Sequence, residues 1–404
     1  MKMLEGIRVL DLTMWAFCPS AGAVLAEWGA DVIHIENAKS PDPLRTLAGG
    51  GTLEPGKAHW MFNHYNRGKR GIALDLANEE AREALYALVR ESDVFLTSFL
   101  PKTRNKLGFD VDQLRAINPN IIYAKGTGGG PLGPENHRGG YDGATWWHRG
   151  SLAATVMSVT QTTTPSGMIG HGDGMSGLVL AGGIAAALFK RERSGEAVVV
   201  DSSLLGTAAW FNAPAIIGKA VDGPNSMMGQ YIPREMGQWS GATYRTSDDR
   251  FLGLLHLGDH QAEFVNLCEN LERMDLVADP RFASPMDRMT NSAELMAIMD
   301  GIFASKTLIE WKAILVHSKG VWAPVQTVEE MPDDVQVQAN GMIRTAEYGG
   351  RQQPIVMPPV MFNEDAGPCN PAPDFGQHTD EVLRDIAGYD ASRIAELHAA
   401  GAIV

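Results

Sequence analysis

Residues 169 to 177 read Ile169-Gly170-His171-Gly172-Asp173-Gly174-Met175-Ser176-Gly177, an acid between two glycines just ahead of an apolar stretch that runs to Phe189. Glycine neighbours let the backbone take unusual angles and let a substrate approach closely. A helix opening here presents unpaired N–H groups and the positive end of its dipole, both suited to a developing anion. A carboxylate held at that point can attack an acyl thioester and form an acyl anhydride. The plainer reading of an acid before a helix is an N-cap, and composition and spacing by themselves favour it.

Other motifs fail on inspection. Gly51-Thr52-Leu53-Glu54-Pro55-Gly56-Lys57-Ala58 is one residue short of a P-loop: Ala58 lacks the magnesium-binding hydroxyl, and no strand leads into the glycines. Gly128-Gly129-Gly130-Pro131-Leu132-Gly133 spells G-x-G-x-x-G after a strand, but Pro131 and Pro134 open no helix to receive a pyrophosphate. His256 and His260 stand four apart across a Gly-Asp turn without H-E-x-x-H, which reads as structural rather than metal-binding, so no metal site is expected. A serine-hydrolase G-x-S-x-G is absent. Arg67, Lys69 and Arg70, with Lys102, Arg104 and Lys106, form two basic clusters that fit either a polyphosphate ligand or a solvated surface.

The elements that must position these residues alternate. Strands are expected at 7–12, 31–35, 71–74, 93–96, 120–124 and 198–201, and helices at 19–28 and 78–91. In the second helix Ala81, Ala84, Leu85, Leu88 and Val89 share one face, with Asn78 as its cap. Such alternation predicts an α/β fold, a doubly wound and mostly parallel sheet covered on both faces. Asp222-Gly223-Pro224-Asn225 marks a break. It divides a large Rossmann-like domain, residues 1–220, from a smaller α+β domain, residues 221–320. Residues 321–404 are read as linker and return to the large domain, closing with helices at 379–386 and 391–399.

The chain has 404 residues and a formal charge of -14, which argues against a large nucleic-acid footprint. Its three dispersed cysteines form no disulfide framework and fit a reducing compartment. No secretory segment precedes the first strand, and the apolar stretch 177–189 is read as too short to span a bilayer. The expectation is a cytoplasmic protein with no membrane partner.

Several separated signatures then coincide. Leu4-Glu5-Gly6-Ile7-Arg8-Val9-Leu10-Asp11-Leu12-Thr13 is followed by Gly29-Ala30-Asp31-Val32-Ile33 and by Asn66-Arg67-Gly68-Lys69-Arg70-Gly71. Leu107-Gly108-Phe109, Arg138-Gly139-Gly140-Tyr141-Asp142, Gly172-Asp173-Gly174 and Gln377-His378-Thr379-Asp380 come after, in order. In this set the chain resembles the class III CoA-transferase (CaiB/BaiF) family, along essentially its whole length.

The resemblance implies an interlocked homodimer and coenzyme A or acyl-CoA as substrate, with no permanently bound cofactor. It implies that Asp173 accepts an acyl group as an anhydride and then carries CoA as an aspartyl thioester, passing it to a carboxylic acid. It places Trp15, Ala16 and Phe17 beside the thioester, and Asn37, Leu74, Asp75, Leu76, Ala77, Ser98, Phe99, Leu100 and Lys106 around the nucleotide. Arg138, Tyr141 and Asp142 fall near the pantetheine and acyl groups, and Gly237 and Gln238, in Met236-Gly237-Gln238-Trp239, match the loop that shields the intermediates. Ala16 stands where a glutamine covers the reaction centre in formyl-CoA-transferase-like members, and Asn37 where many members have arginine, which implies a different acyl pocket. Trp146, Trp147, Met227, Met228 and Trp239 are either core or the lining for a bulky apolar acyl group. The racemase/epimerase branch needs a base where Tyr141 stands, so acyl-CoA racemisation is the second reading, and a noncatalytic CoA-binding protein the third.

Overall fold

The computed structural model describes residues 2–48, 51–52, 60–163, 167–348 and 350–404. Most of the Gly51–Ala58 motif therefore lies outside the described residues. Two compact units emerge, Met1–Met228 with Val335–Val404, and Gly229–Asp334.

In the larger unit six strands, β1 (Arg8–Leu12), β2 (Asp31–Glu36), β3 (Arg70–Ala73), β4 (Val94–Thr97), β5 (Ile122–Thr127) and β6 (Val199–Ser203), form one sheet. Its order is β3-β2-β1-β4-β5-β6, with every pairing parallel. This is the doubly wound arrangement, and its order reverses between β1 and β4. The inner strands are apolar runs rather than alternations because both faces are covered; all four residues of β4 are buried. One face carries α1 (Phe17–Glu27) with the helices His171–Ser194 and Leu204–Phe211; the other carries α3 (Glu79–Arg90), the helix Val111–Ile117 and the C-terminal helices Thr379–Asp385 and Ala391–Ala399. Between α1 and α3 stands the short α2 (Trp60–Asn66). The side chain of Asn78 accepts the N–H of Glu80 and caps α3, whose Ala81, Leu85 and Leu88 are buried as the spacing required. The tail is tied to the sheet's end, with Asp75 donating its N–H to Ala402 O at 2.8 Å and Leu383 and Leu397 buried beside Leu85.

Beyond β4 lie α4 (Pro101–Leu107), α5 (Val111–Ile117), an eight-residue π-helix (Asp142–Arg149), α6 (Leu152–Thr160), α7 (His171–Ser194), α8 (Leu204–Phe211) and α9 (Ala213–Asp222). With 24 residues α7 outruns the stretch read from sequence. Lys190 to Ser194 keep helical geometry until Gly195, whose φ of 72° ends it. By length and composition α7 is apolar enough to cross a membrane. Here Leu180, Ala181, Ile184 and Leu188 pack into the core with α1 and the sheet.

The second unit has a three-stranded antiparallel sheet, Val321–Pro324, Phe251–Leu255 and Thr243–Arg245, with helices around a core that contains Tyr244, Phe264, Phe303 and Trp311. Because Val321–Pro324 is an edge strand of this sheet, the unit runs to Asp334 rather than ending at 320.

Candidate active site at the first turn of helix α7

At residue 170 the chain turns into α7 through a left-handed glycine, φ 79°, and the hydroxyl of Tyr65 donates to its carbonyl at 3.3 Å. Asp173 is then the third residue of α7, not its N-cap, so the capping role read from the sequence does not hold. That role falls to Asp142, at the start of the π-helix, whose Oδ1 accepts the N–H of Gly172 at 3.1 Å. The other oxygen of Asp142 is buried without a hydrogen bond among the described residues. Gly172 is required: a Cβ there would collide with Asp142 Oδ1 and the Trp146 ring. Gly174 is not, since a Cβ there meets nothing within 4 Å; it borders an apolar groove of about 830 Å³ with Tyr65, Met175 and Met357.

The carboxylate of Asp173 is partly buried and makes no hydrogen bond to the described residues. Burial first, and the Asp142 carboxylate second, push it up to about 7. Asp142 is raised too, chiefly by burial, against the N–H groups at the start of α7 that hold it down. Glycine also allows α7 to reach this place. A Cβ on Gly177 would come within 2.6 Å of Ser20 Oγ and 2.7 Å of Phe17 O, so only a bare backbone lets α7 lie on α1.

On the other side of α1's entry, Trp15 adopts φ 67°, which is rare for a bulky residue. Its ring meets Tyr141 edge-on, centroids 5.5 Å apart. Ala16 and Phe17 follow, both buried, at the start of α1. The structure thus gathers Trp15, Tyr141, Asp142 and Asp173. A second feature opens at the carboxyl ends of β1 and β2, a cleft of about 190 Å³ lined by Met14, Asn37, Leu74, Leu76 and Phe99 among others. Ligands of doubly wound sheets bind at this edge.

The family model for CoA-transferase family III matches residues 4–379. The chain belongs to CoA-transferase family III. It is 31% identical to an (R)-2-hydroxy-4-methylpentanoate CoA-transferase from Clostridioides difficile, covering 97% of each chain. It is 29% identical to a cinnamoyl-CoA:phenyllactate CoA-transferase from Clostridium sporogenes, over 98% of this chain and 96% of that one. Among solved structures, a CaiB/BaiF family protein from Brucella suis superposes with a TM-score of 0.79 at 27% identity, covering 95% of this chain and 99% of that one.

Within this family III chain the remaining expected residues sort unevenly. The Asn37 side chain, on the cleft wall, accepts the N–H groups of Lys39 and Ser40 and so is committed to its own turn. Asp75 is paired with Lys39 at 2.6 Å, and Ser98 Oγ accepts the N–H of Met14 at 3.1 Å. Ala77 is exposed, Leu100 precedes α4 without a side-chain cap, and none of Asp75, Ala77, Ser98, Leu100 or Lys106 lines the cleft. Arg138 is exposed, its guanidinium 2.6 Å from Glu135. Gly237 and Gln238 belong to the second unit, where Gln238 borders a hollow of about 290 Å³ with Trp239 and Arg288.

The basic clusters, read as fitting either a polyphosphate or a solvated surface, are largely spent on the fold. Arg67 grips Glu27 through two nitrogens, at 2.5 and 2.8 Å, and Lys69 is buried on Asp11, Asn66 and Pro19 O. Arg70 pairs with Asp31, and Arg104 with Asp110. Lys102 and Lys106 remain exposed on α4. Trp146, Trp147 and Trp239 are core, whereas Met227 and Met228 are exposed. Reading the sequence missed Tyr65 and Asp42. Asp42 carries a legible signal, since Asp42-Pro43 is a turn-initiating pair, and it caps a 3₁₀ turn.

Proposed function

We propose that this CoA-transferase moves CoA from an acyl-CoA to a carboxylic acid through Asp173. The observation that carries the reading is a carboxylate in the first turn of α7, without a hydrogen bond among the described residues and pushed up to about 7 by burial and by Asp142. Such an acid is a better nucleophile than an ordinary carboxylate, and acylation removes the charge that Asp142 opposes.

An Asp173 oxygen attacks the thioester carbonyl, the C–S bond breaks, and CoA leaves as thiolate from an acyl-aspartyl anhydride. The thiolate attacks the aspartyl carbonyl, the C–O bond breaks, and the donor acid departs as carboxylate, leaving an aspartyl-CoA thioester. The acceptor carboxylate attacks that carbonyl and expels the thiolate. Attack of the thiolate on the acceptor's acyl carbon gives the new acyl-CoA and restores Asp173. No proton or electron is consumed overall.

The acceptor, in this reading, is an acid with a branched or aromatic side chain. The apolar groove beside Gly174 and the substrates in the names of the Clostridioides and Clostridium relatives support it. The nucleotide occupies the cleft at β1 and β2, and Trp15 with Tyr141 flanks the acyl centre. A racemase in place of the transferase finds less support, because a phenol at position 141 is a weak base near neutral pH. We also read the protein as a cytoplasmic homodimer. Trp210 is 79% exposed, and α9 has no buried residue, which leaves an apolar face for a second copy to cover.

The deciding experiment incubates the protein with a panel of acyl-CoAs, quenches with hydroxylamine and maps the product by mass spectrometry. A hydroxamate on Asp173 is expected. Adducts elsewhere, or full turnover by Asp173→Asn, overturn the reading.

A further inference from the structure

We propose that Asp42 is a positioning residue for the reaction centre, its buried carboxylate fixing the loop that enters α1 by accepting the backbone N–H of Trp15. This rests on the reading of Asp173 as nucleophile. A left-handed tryptophan is a strained residue that persists only where its surroundings hold it. Here Asp42 Oδ1 and Oδ2 lie 3.3 and 3.2 Å from Trp15 N, and Oδ1 also accepts the N–H of Leu44 at 2.9 Å.

Asp42 is itself anchored. Its backbone N–H donates to Glu36 Oε2 at 2.9 Å, and Arg45 grips the same carboxylate, with Nη2 2.6 Å from Oε1. Asp42 is only 3% exposed. Burying an acid beside a second acid is costly, and two backbone N–H groups are a small return unless their placement matters. Burial first, with a contribution from Glu36, pushes Asp42 up to about 6, against His34 and the two N–H groups that hold it down.

From the far side of Trp15 the contacts run on toward the nucleophile. The indole meets Tyr141 edge-on, Tyr141 precedes Asp142, and Asp142 receives the N–H of Gly172, the neighbour of Asp173. Asp42 also borders the cleft at the ends of β1 and β2. One carboxylate therefore links the wall of that cleft to the element that flanks the reacting acid. Its effect on rate passes through the conformation of residue 15.

The test uses the full-length protein and an acyl-CoA that acylates Asp173 in the wild type, with single-turnover rates read by hydroxylamine trapping. Asp42→Ala slows acylation by about tenfold or more, while the half-saturating acyl-CoA concentration moves by less than about threefold. Asp42→Asn keeps an acceptor oxygen for Trp15 N–H and recovers to within about threefold of wild type. Tyr141→Ala, at an exposed position, slows the same step, and adding it to Asp42→Ala slows it little further. Acylation by Asp42→Ala at the wild-type rate overturns the proposal. So does equal slowing of the Ala and Asn variants with a matching loss of folded protein by circular dichroism. Should Asp42→Ala fail to fold, a wild-type rate for Tyr141→Ala overturns it instead. Asp173→Asn is run in parallel: activity there defeats the nucleophile reading, whereas an inactive Asp173→Asn beside a normal Asp42→Ala defeats only the role of Asp42.

Discussion

Replacing Asp173 by asparagine should make the protein more stable, and increasingly so as pH rises. The carboxyl is held up to about 7 in the fold against an ordinary value of 3.8. Below 3.8 both folded and unfolded chains are protonated there, and the group contributes nothing. Between the two values the unfolded chain ionises while the folded one keeps its proton, so stability falls as pH rises; above 7 the penalty is complete. At 1.36 kcal/mol per pH unit of displacement, the penalty is about 1.7 kcal/mol at pH 5 and about 4 kcal/mol at pH 8. Asparagine keeps the shape and cannot ionise. Urea unfolding of both proteins, followed by tryptophan fluorescence, should show the variant gaining about 2.5 kcal/mol over wild type between pH 5 and pH 8. A gap between the two proteins that is the same at both pH values would refute the reasoning, because the acid would then ionise as freely in the fold as in water. No substrate need be known for this measurement.

Three further outcomes follow from the same geometry. With an accepted acyl-CoA, kcat/KM should rise with pH through about 7 and flatten above it, since only ionised Asp173 attacks; a flat profile from pH 5.5 to 8.5 counts against that order of events. Gly172→Ala should cut kcat by about a hundredfold with the fold retained by circular dichroism, because the methyl group displaces Asp142 and Trp146 from the α7 entrance. Glu27→Gln leaves the buried Arg67 without its counter-charge and should destabilise the protein by about 3 kcal/mol, read in urea unfolding at pH 7.

Much of the large unit was legible because its helices bury periodic apolar faces and its inner strands are short continuous apolar runs. Asn78 capping α3, and the buried Ala81, Leu85 and Leu88, follow from spacing within a single helix. The π-helix over Asp142–Arg149 was not read. Its partners are Gly172, thirty residues on, and the core beneath Trp146 and Trp147, and no local period announces either. The strand Val321–Pro324 was misplaced for a related reason, since its ladder is with residues 252–255, some seventy positions earlier.

The candidate site divides along the same line. Residue type placed an acid among glycines at α7 but could not say which acid caps the helix, because a cap can come from another element. Asp142 supplies it, and the consequence is chemical. The capped N–H of Gly172 is no longer open to Asp173, so no hydrogen bond from the described residues stabilises the ionised form of that acid. The basic residues teach the converse. Arg67 and Lys69 sit in a cluster that charge alone leaves open between a phosphate ligand and a solvated surface, yet each is saturated by acids and carbonyls from α1 and β1. A cation in a sequence is a promise to some anion, and only the fold says whether that anion is already inside the protein. Lys102 and Lys106, by contrast, are exposed on α4 and have no anionic partner among the described residues.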